Sequence, residues 1–286
     1  MIDLHTHSRF SDGTDTVPEL VGAAARSGLE AIALTDHDTM DGVDQAQALG
    51  RDVGLDVLRG VEMSTHLLVG STEHPVHLLA YGCRDDDDDL LALLERIREA
   101  RRTRMPRMLD LLAGLGMPLE ISDVEAWSDQ ASSTGRPHVA DALVAKGYVA
   151  SRDEAFDKFL GESCPAYVPR YTPDVAEALD TVNRACGVGV LAHPWIRDHE
   201  TVMTPRTIAE LANEHGLFGL EADHPDHTAE TRQALHALAD DLGLVATGSS
   251  DYHGAGKPDN LLGICQTPRV VYEAIRQEIE QRGGRP

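Results

Sequence analysis

Short apolar runs that lead into metal-ligand side chains constrain this chain more than any other feature. Residues 2–5 end on His5, with His7 two positions on; 31–34 lead to Asp36, His37 and Asp38; 55–61 lead to Glu62; 76–81 contain His77; 187–192 lead to His193; 217–220 lead to Glu221; 244–247 lead to Asp251 and His253. Runs of this length, rich in Val, Ile and Leu and bounded by polar residues, read as buried strands. Helical patterns lie between them, at 18–27 (with Thr16 as N-cap and Gly28 as stop), 41–49, 204–214 and 228–242. Strands alternating with helices imply βαβ units and a mostly parallel sheet. Chemistry gathered at strand C-terminal ends points to an α/β barrel, where the loops of that face build the active site. Seven strands make it an irregular one.

Residues 85–183 break the alternation. Helical stretches at 90–104, 105–115, 139–146 and 154–160 are expected to form a mainly helical insertion after the fourth strand. The barrel would then be discontinuous, built from 1–84 and 184–286. The acidic run Asp85–Asp89 suits a solvated turn and helix start, where the helix dipole favours negative charge.

In a strand, residues i and i+2 share a face, so His5 and His7 can reach one ion. Asp12, His37, Glu62, His77, His193, Asp251 and His253 add ligand types where barrel loops converge. Together they exceed what one four-coordinate zinc needs. Nitrogen and oxygen donors without thiolate suit two or three divalent ions of Mn, Zn or Fe. Three such ions against three carboxylates leave a charge of about +3, which attracts a phosphate. The cysteines are widely spaced, without a Cys-x-x-Cys pair, and read as small buried hydrophobes.

A net charge of −23 disfavours long nucleic acid and anionic membranes as partners. No apolar run approaches the roughly 20 residues that span a bilayer. The opening residues lack the pattern of an export signal, so a cytoplasmic location is expected. The expected partner is a small phosphorylated molecule.

The runs Asp3-Leu-His-Thr-His-Ser, Ser11-Asp-Gly, Thr35-Asp-His-Asp-Thr, Gly60-Val-Glu-Met-Ser, Ala192-His-Pro and Ser249-Ser-Asp-Tyr-His resemble, in order, the motifs of the PHP (polymerase and histidinol phosphatase) family. The resemblance implies a distorted seven-stranded, TIM-like (β/α)7 barrel with a trinuclear metal site that hydrolyses phosphoesters. It implies that His5, His7, Glu62 and Asp251 hold a first ion. Glu62, His77 and His193 would hold a second, and Asp12, His37 and His253 a third. Asp36 and Asp38, flanking His37, would orient imidazoles.

The run Gly135-Arg-Pro-His-Val-Ala is similar to a motif of family phosphatases acting on nucleoside 3′,5′-bisphosphates and short RNA 5′ ends. Arg136 would fork a phosphate, with His138, Arg170 and His224 as further substrate contacts. His138, His224 or a water would protonate the leaving alkoxide. The implied function is hydrolysis of a phosphate monoester on a small nucleotide, foremost the 3′-phosphate of nucleoside 3′,5′-bisphosphates, by water that the ions activate. Alternatives are 5′-to-3′ trimming of short RNA, hydrolysis of a small cyclic phosphate or histidinol-phosphate-like monoester, and a non-catalytic metal-binding module.

Overall fold

The computed structural model describes residues 1–128 and 131–286, the side chains of 197–199 excepted. The described residues form one sheet in the order β1 (Ile2–Thr6), β2 (Ala31–Leu34), β3 (Asp56–Val69), β4 (Thr72–Tyr81), β5 (Val188–Ala192), β6 (Gly219–Asp223) and β7 (Val245–Gly248). A parallel bridge between Thr6 and Tyr252, with His7 N donating to Tyr252 O at 2.9 Å, brings the first strand to the residues after the last. The result is the expected irregular seven-stranded barrel.

One strand departs from expectation. β1–β2, β2–β3, β5–β6 and β6–β7 are parallel, whereas β4 is antiparallel to both neighbours. β3 and β4 form a direct hairpin extending well past the apolar stretches that marked them. The extension, with Thr72, Glu73 and His74 on its second arm, is too polar to register as buried strand.

The barrel helices begin with α1 (Val17–Arg26) and α2 (Val43–Val53). Thr16 caps α1 in a capping box with Glu19, which satisfies two amide groups that the helix leaves free. The intervening region contains α3 (Asp88–Gly114), α4 (Ile121–Glu125), α5 (Arg136–Ala145), α6 (Arg152–Ala155) and a π turn at Phe156–Leu160. Helices α7 (Val175–Arg184), α8 (Pro205–His215), α9 (Ala229–Leu242) and α10 (Arg269–Arg282) complete the chain. Two stretches expected as separate helices, 90–104 and 105–115, are the single helix α3. Pro106 lies inside it and removes one backbone hydrogen bond. Burial on both sides of the proline compensates. Leu90, Leu94 and Ile97 pack with Leu78 and Leu179 of the barrel core, and Met105, Met108 and Leu112 pack with Val139, Leu143 and Leu160. No helix among the described residues is long and apolar enough to cross a membrane.

Candidate metal centre and adjoining cavity

The strands bring the ligand-type side chains to one mouth. His5 is the penultimate residue of β1 and His7 follows just past the strand, both fully buried. A parallel bridge joins His37 to Glu62 of β3. His77 pairs in register with Ala192, which places it beside His193. The reversed direction of β4 explains why His77 sits in the body of its strand rather than beyond its end. After β7, Ser250 N and Gly263 N both donate to the buried Asp3 carboxylate, at 2.9 and 2.8 Å, so β1 also holds the loop carrying Asp251 and His253. Asp38, His193 and Asp251 adopt φ of 59°, 31° and 52°. Left-handed backbone is costly for such residues and concentrates at functional sites.

Glu62 is the hub. Its Oε2 lies 3.2 Å from His5 Nε2, 3.1 Å from His7 Nε2 and 3.1 Å from His37 Nδ1. Its Oε1 lies 2.7 Å from His77 Nδ1 and 3.2 Å from His193 Nε2. Asp251 Oδ1 stands 3.4 Å from Nε2 of both His5 and His7. Asp12 Oδ1 stands 3.2 Å from His253 Nε2, and its Oδ2 is 3.7 Å from His37 Nε2. Three overlapping groups result: His5, His7, Glu62, Asp251; His37, Glu62, His77; and His7, Asp12, His37, His253. In each, the ligand atoms lie within 4.8 Å of one another.

These residues fit divalent cations. Nε2 of His5 and His7 and Nδ1 of His37 and His77 are buried close to carboxylate oxygens yet make no hydrogen bond among the described residues. Buried polar atoms are rarely left so; these surround common points, as ligands around an ion do. The protonation states agree. Burial would raise Glu62, but the imidazoles of His37, His77 and His5 outweigh it and hold the carboxyl well below its usual range. Burial also pushes His37 down to about 3, leaving it a neutral donor. His5 is raised, because burial is outweighed by Glu221, Glu62 and Asp251, a field suited to a cation.

Glu221, in the middle of β6, organises this centre. His5 Nδ1 donates to its Oε1 at 2.9 Å, which leaves Nε2 for a ligand bond, and His193 N donates to its Oε2 at 2.8 Å. Ser249 Oγ also donates to Oε1. Asp36 and Asp38, expected to orient imidazoles, hold other groups. Asp36 accepts from Ser8 N, Ser8 Oγ and Ser11 Oγ and so fixes the loop bearing Asp12. Asp38 accepts from Ser64 N at 2.6 Å and Arg101 Nε at 2.8 Å.

A cavity of about 560 Å³ opens beside Asp12, His37, His77 and His253. Its lining also carries Arg101, Arg104, Arg136 and Arg170, and an adjoining lobe of about 330 Å³ shares His77, Arg104, Arg136 and Arg170. Arg101 is anchored on Asp38 and on Ser64 Oγ at 2.7 Å. Arg104 is 6% exposed, and its Nε has no hydrogen-bond partner among the described residues. Burial, then Arg170, Arg136 and Arg101, pull Arg104 well below the usual arginine range. Burial and Arg101 likewise bring Arg170 to about 9. Guanidinium groups do not shed their proton under such strain, so the cluster is suited to an anion.

Of the substrate contacts expected from the sequence, Arg136 and Arg170 line this cavity. Arg136 Nη1 donates to Leu160 O at 3.0 Å, and its guanidinium lies 5.5 Å from the rings of Phe156 and Tyr167. His138 is 2% exposed, with Nδ1 accepting from Gly135 N at 3.0 Å as part of the α5 cap. His224 is equally enclosed, its Nε2 3.4 Å from Asp251 Oδ2 and its Nδ1 accepting from Asp226 N. The reading from sequence gave no role to Arg101, Arg104 or Glu221. The arginines had a signal: they occupy positions 101 and 104 of the stripe on which α3 otherwise buries Leu94, Ile97, Met105 and Met108.

The PHP domain profile matches residues 3–123. A 3′,5′-nucleoside bisphosphate phosphatase from Chromobacterium violaceum is 32% identical over 285 residues, covering 100% of this chain and 98% of its own. A 5′-3′ exoribonuclease from Haemophilus influenzae is 31% identical over 251 residues, 88% of this chain and 89% of its own. A structure from Bifidobacterium adolescentis, described as a metal-dependent phosphoesterase, superposes with a TM-score of 0.89 at 33% identity, covering 97% of this chain and 96% of that one. With the ligand cluster at the barrel mouth and full-length relatives at this identity, the chain belongs to the PHP domain family of metal-dependent phosphoesterases, hydrolases of phosphoester bonds.

Proposed function

We propose that this hydrolase removes the 3′-phosphate of nucleoside 3′,5′-bisphosphates. The carrying observation is Arg104, a buried guanidinium with an unsatisfied Nε, facing the cavity among Arg101, Arg136 and Arg170. A reacting phosphate beside the histidines and carboxylates does not account for a second cationic wall. A substrate with two phosphates does. The full-length similarity to a 3′,5′-nucleoside bisphosphate phosphatase supports the same reading.

His5, His7, Glu62 and Asp251 would hold one ion, Glu62 with His77 and His193 a second, and Asp12, His37 and His253 a third. When bound, divalent ions supply Lewis acidity and an activated water at neutral pH. The chain's own contribution is placement. Glu221 fixes the tautomer of His5 and the backbone at His193. The arginines grip the remote phosphate by charge-assisted, forked hydrogen bonds. Binding energy from this non-reacting group aligns the scissile ester and is expressed in turnover as well as affinity. His138 serves here as a cap and a brace for the Gly135 loop, and His224 as a brace for Asp251, rather than as proton donors. The charge of −23 weighs against long RNA.

Arg104→Met tests this. Loss of a charged hydrogen bond should lower kcat/KM for adenosine 3′,5′-bisphosphate about 10- to 100-fold. The 3′-monophosphate, lacking the second anion, should be affected far less. Equal losses on both substrates would contradict the proposal.

A further inference from the structure

Proton donors or anion-binding groups near the reacting phosphate are scarce once His138 and His224 are enclosed. Lys257 remains. It follows the tight turn Gly254–Gly256, in which Lys257 N donates to Gly254 O at 3.3 Å. Gly254 has φ of 62°, and a side chain there would meet Thr14 Oγ1, so the turn is closely fitted to the Asp12 loop. Lys257 is the lysine among the described residues lining the larger cavity. Its Nζ donates to Asp251 Oδ2, while Asp251 Oδ1 faces His5 and His7. The carboxylate therefore presents one oxygen to the ion-binding group and the other to Lys257 and His224.

The two neighbours of Asp251 Oδ2 differ in access. The His224 side chain is 1% exposed, whereas that of Lys257 is 41% exposed and reaches the cavity. An ammonium has three N–H donors. One is engaged by Asp251, which aims the group, and others remain for a ligand. Lys257 lines the cavity together with Asp12 and His253 of the third ligand group. Arg152, the nearest comparable cation on that rim, is taken up by a two-pronged pair with Asp141 at 2.5 Å.

We propose that Lys257 is a catalytic residue whose ammonium donates a hydrogen bond to an oxygen of the reacting phosphoryl group and stabilises the charge it gains in the transition state. The inference rests on phosphoester hydrolysis at this centre, but not on which nucleotide is cleaved. It adds a side-chain electrostatic contact to the centre, placed by the same carboxylate that faces the first ion.

The experiment compares wild type, Lys257→Met, Lys257→Gln and Lys257→Arg, each loaded with Mn²⁺. Bound metal is counted by mass spectrometry, inorganic phosphate affinity is measured by calorimetry, and kcat and KM are measured on whichever phosphoester the wild type cleaves fastest. Expected are unchanged metal content, weaker phosphate binding, and a kcat loss of about 10²- to 10³-fold in the Met and Gln variants, as for loss of one transition-state donor. Lys257→Arg should recover part of it. Metal loss with recovery in excess Mn²⁺ would make Lys257 a support for Asp251 and overturn the proposal. Unchanged phosphate affinity and kcat would overturn it outright. A wild type that prefers another phosphoester would refute the bisphosphate reading while leaving this comparison valid, and phosphate affinity decides the matter without any turnover.

Discussion

Glu62 is 1% exposed, yet five imidazoles approach its two oxygens. A lone buried carboxylate is strongly unfavourable; His193 Nε2 is within hydrogen-bond geometry of it, and the other four imidazoles, close by without such geometry, are arranged as ligands around cations would be. Glu221 makes that arrangement specific by engaging His5 Nδ1 and His193 N at once. Glu221→Gln should therefore weaken metal binding about 10- to 100-fold, the usual effect of removing a group that orients a ligand. Activity titrated against Mn²⁺ should need more metal to reach a similar plateau; an unchanged titration would contradict the role. At this scale the candidate ligands were legible because histidines and acids interrupted apolar strands. Arg101 and Arg104 were not, since arginine on a helix is ordinarily read as a solvated face. Only their place in the buried stripe of α3 marks them.

Elements explain why the site closes where it does. The alternation of apolar runs and helices announced a barrel, but not that β4 runs backwards, because a hairpin and a crossover leave similar apolar runs in sequence. Helix α3 runs unbroken through the two stretches expected as separate helices, carried across Pro106 by burial on both sides of it. Its continuity carries Arg101 and Arg104 from the barrel core to the cavity. Helix packing on the sheet is equally tight. A side chain at Gly189 of β5 would come within 2.4 Å of Leu179 Cδ2 on α7. Gly189→Val should cost about 1–3 kcal/mol by overpacking, read as a lower urea midpoint with an unchanged slope. Wild-type stability in that variant would mean that α7 is not held as described.

Across the whole molecule, the charge of −23 and the cationic cavity belong to one design. An acidic exterior disfavours polyanions, while a cavity lined by arginines beside a candidate metal centre suits a compact anion. The class of chemistry was legible from the candidate ligand set; the proposed second anion site was not, because its arginines come from one stretch of α3, the start of α5 and the segment around residue 170. The most direct test is phosphate release by protein stripped with chelator and then reloaded with Mn²⁺, offered adenosine 3′,5′-bisphosphate, AMP, a 5′-phosphorylated dinucleotide and a cyclic phosphate. The account predicts no release before reloading and, after it, the highest kcat/KM on the bisphosphate. Release by the stripped protein, or preference for AMP, would contradict it.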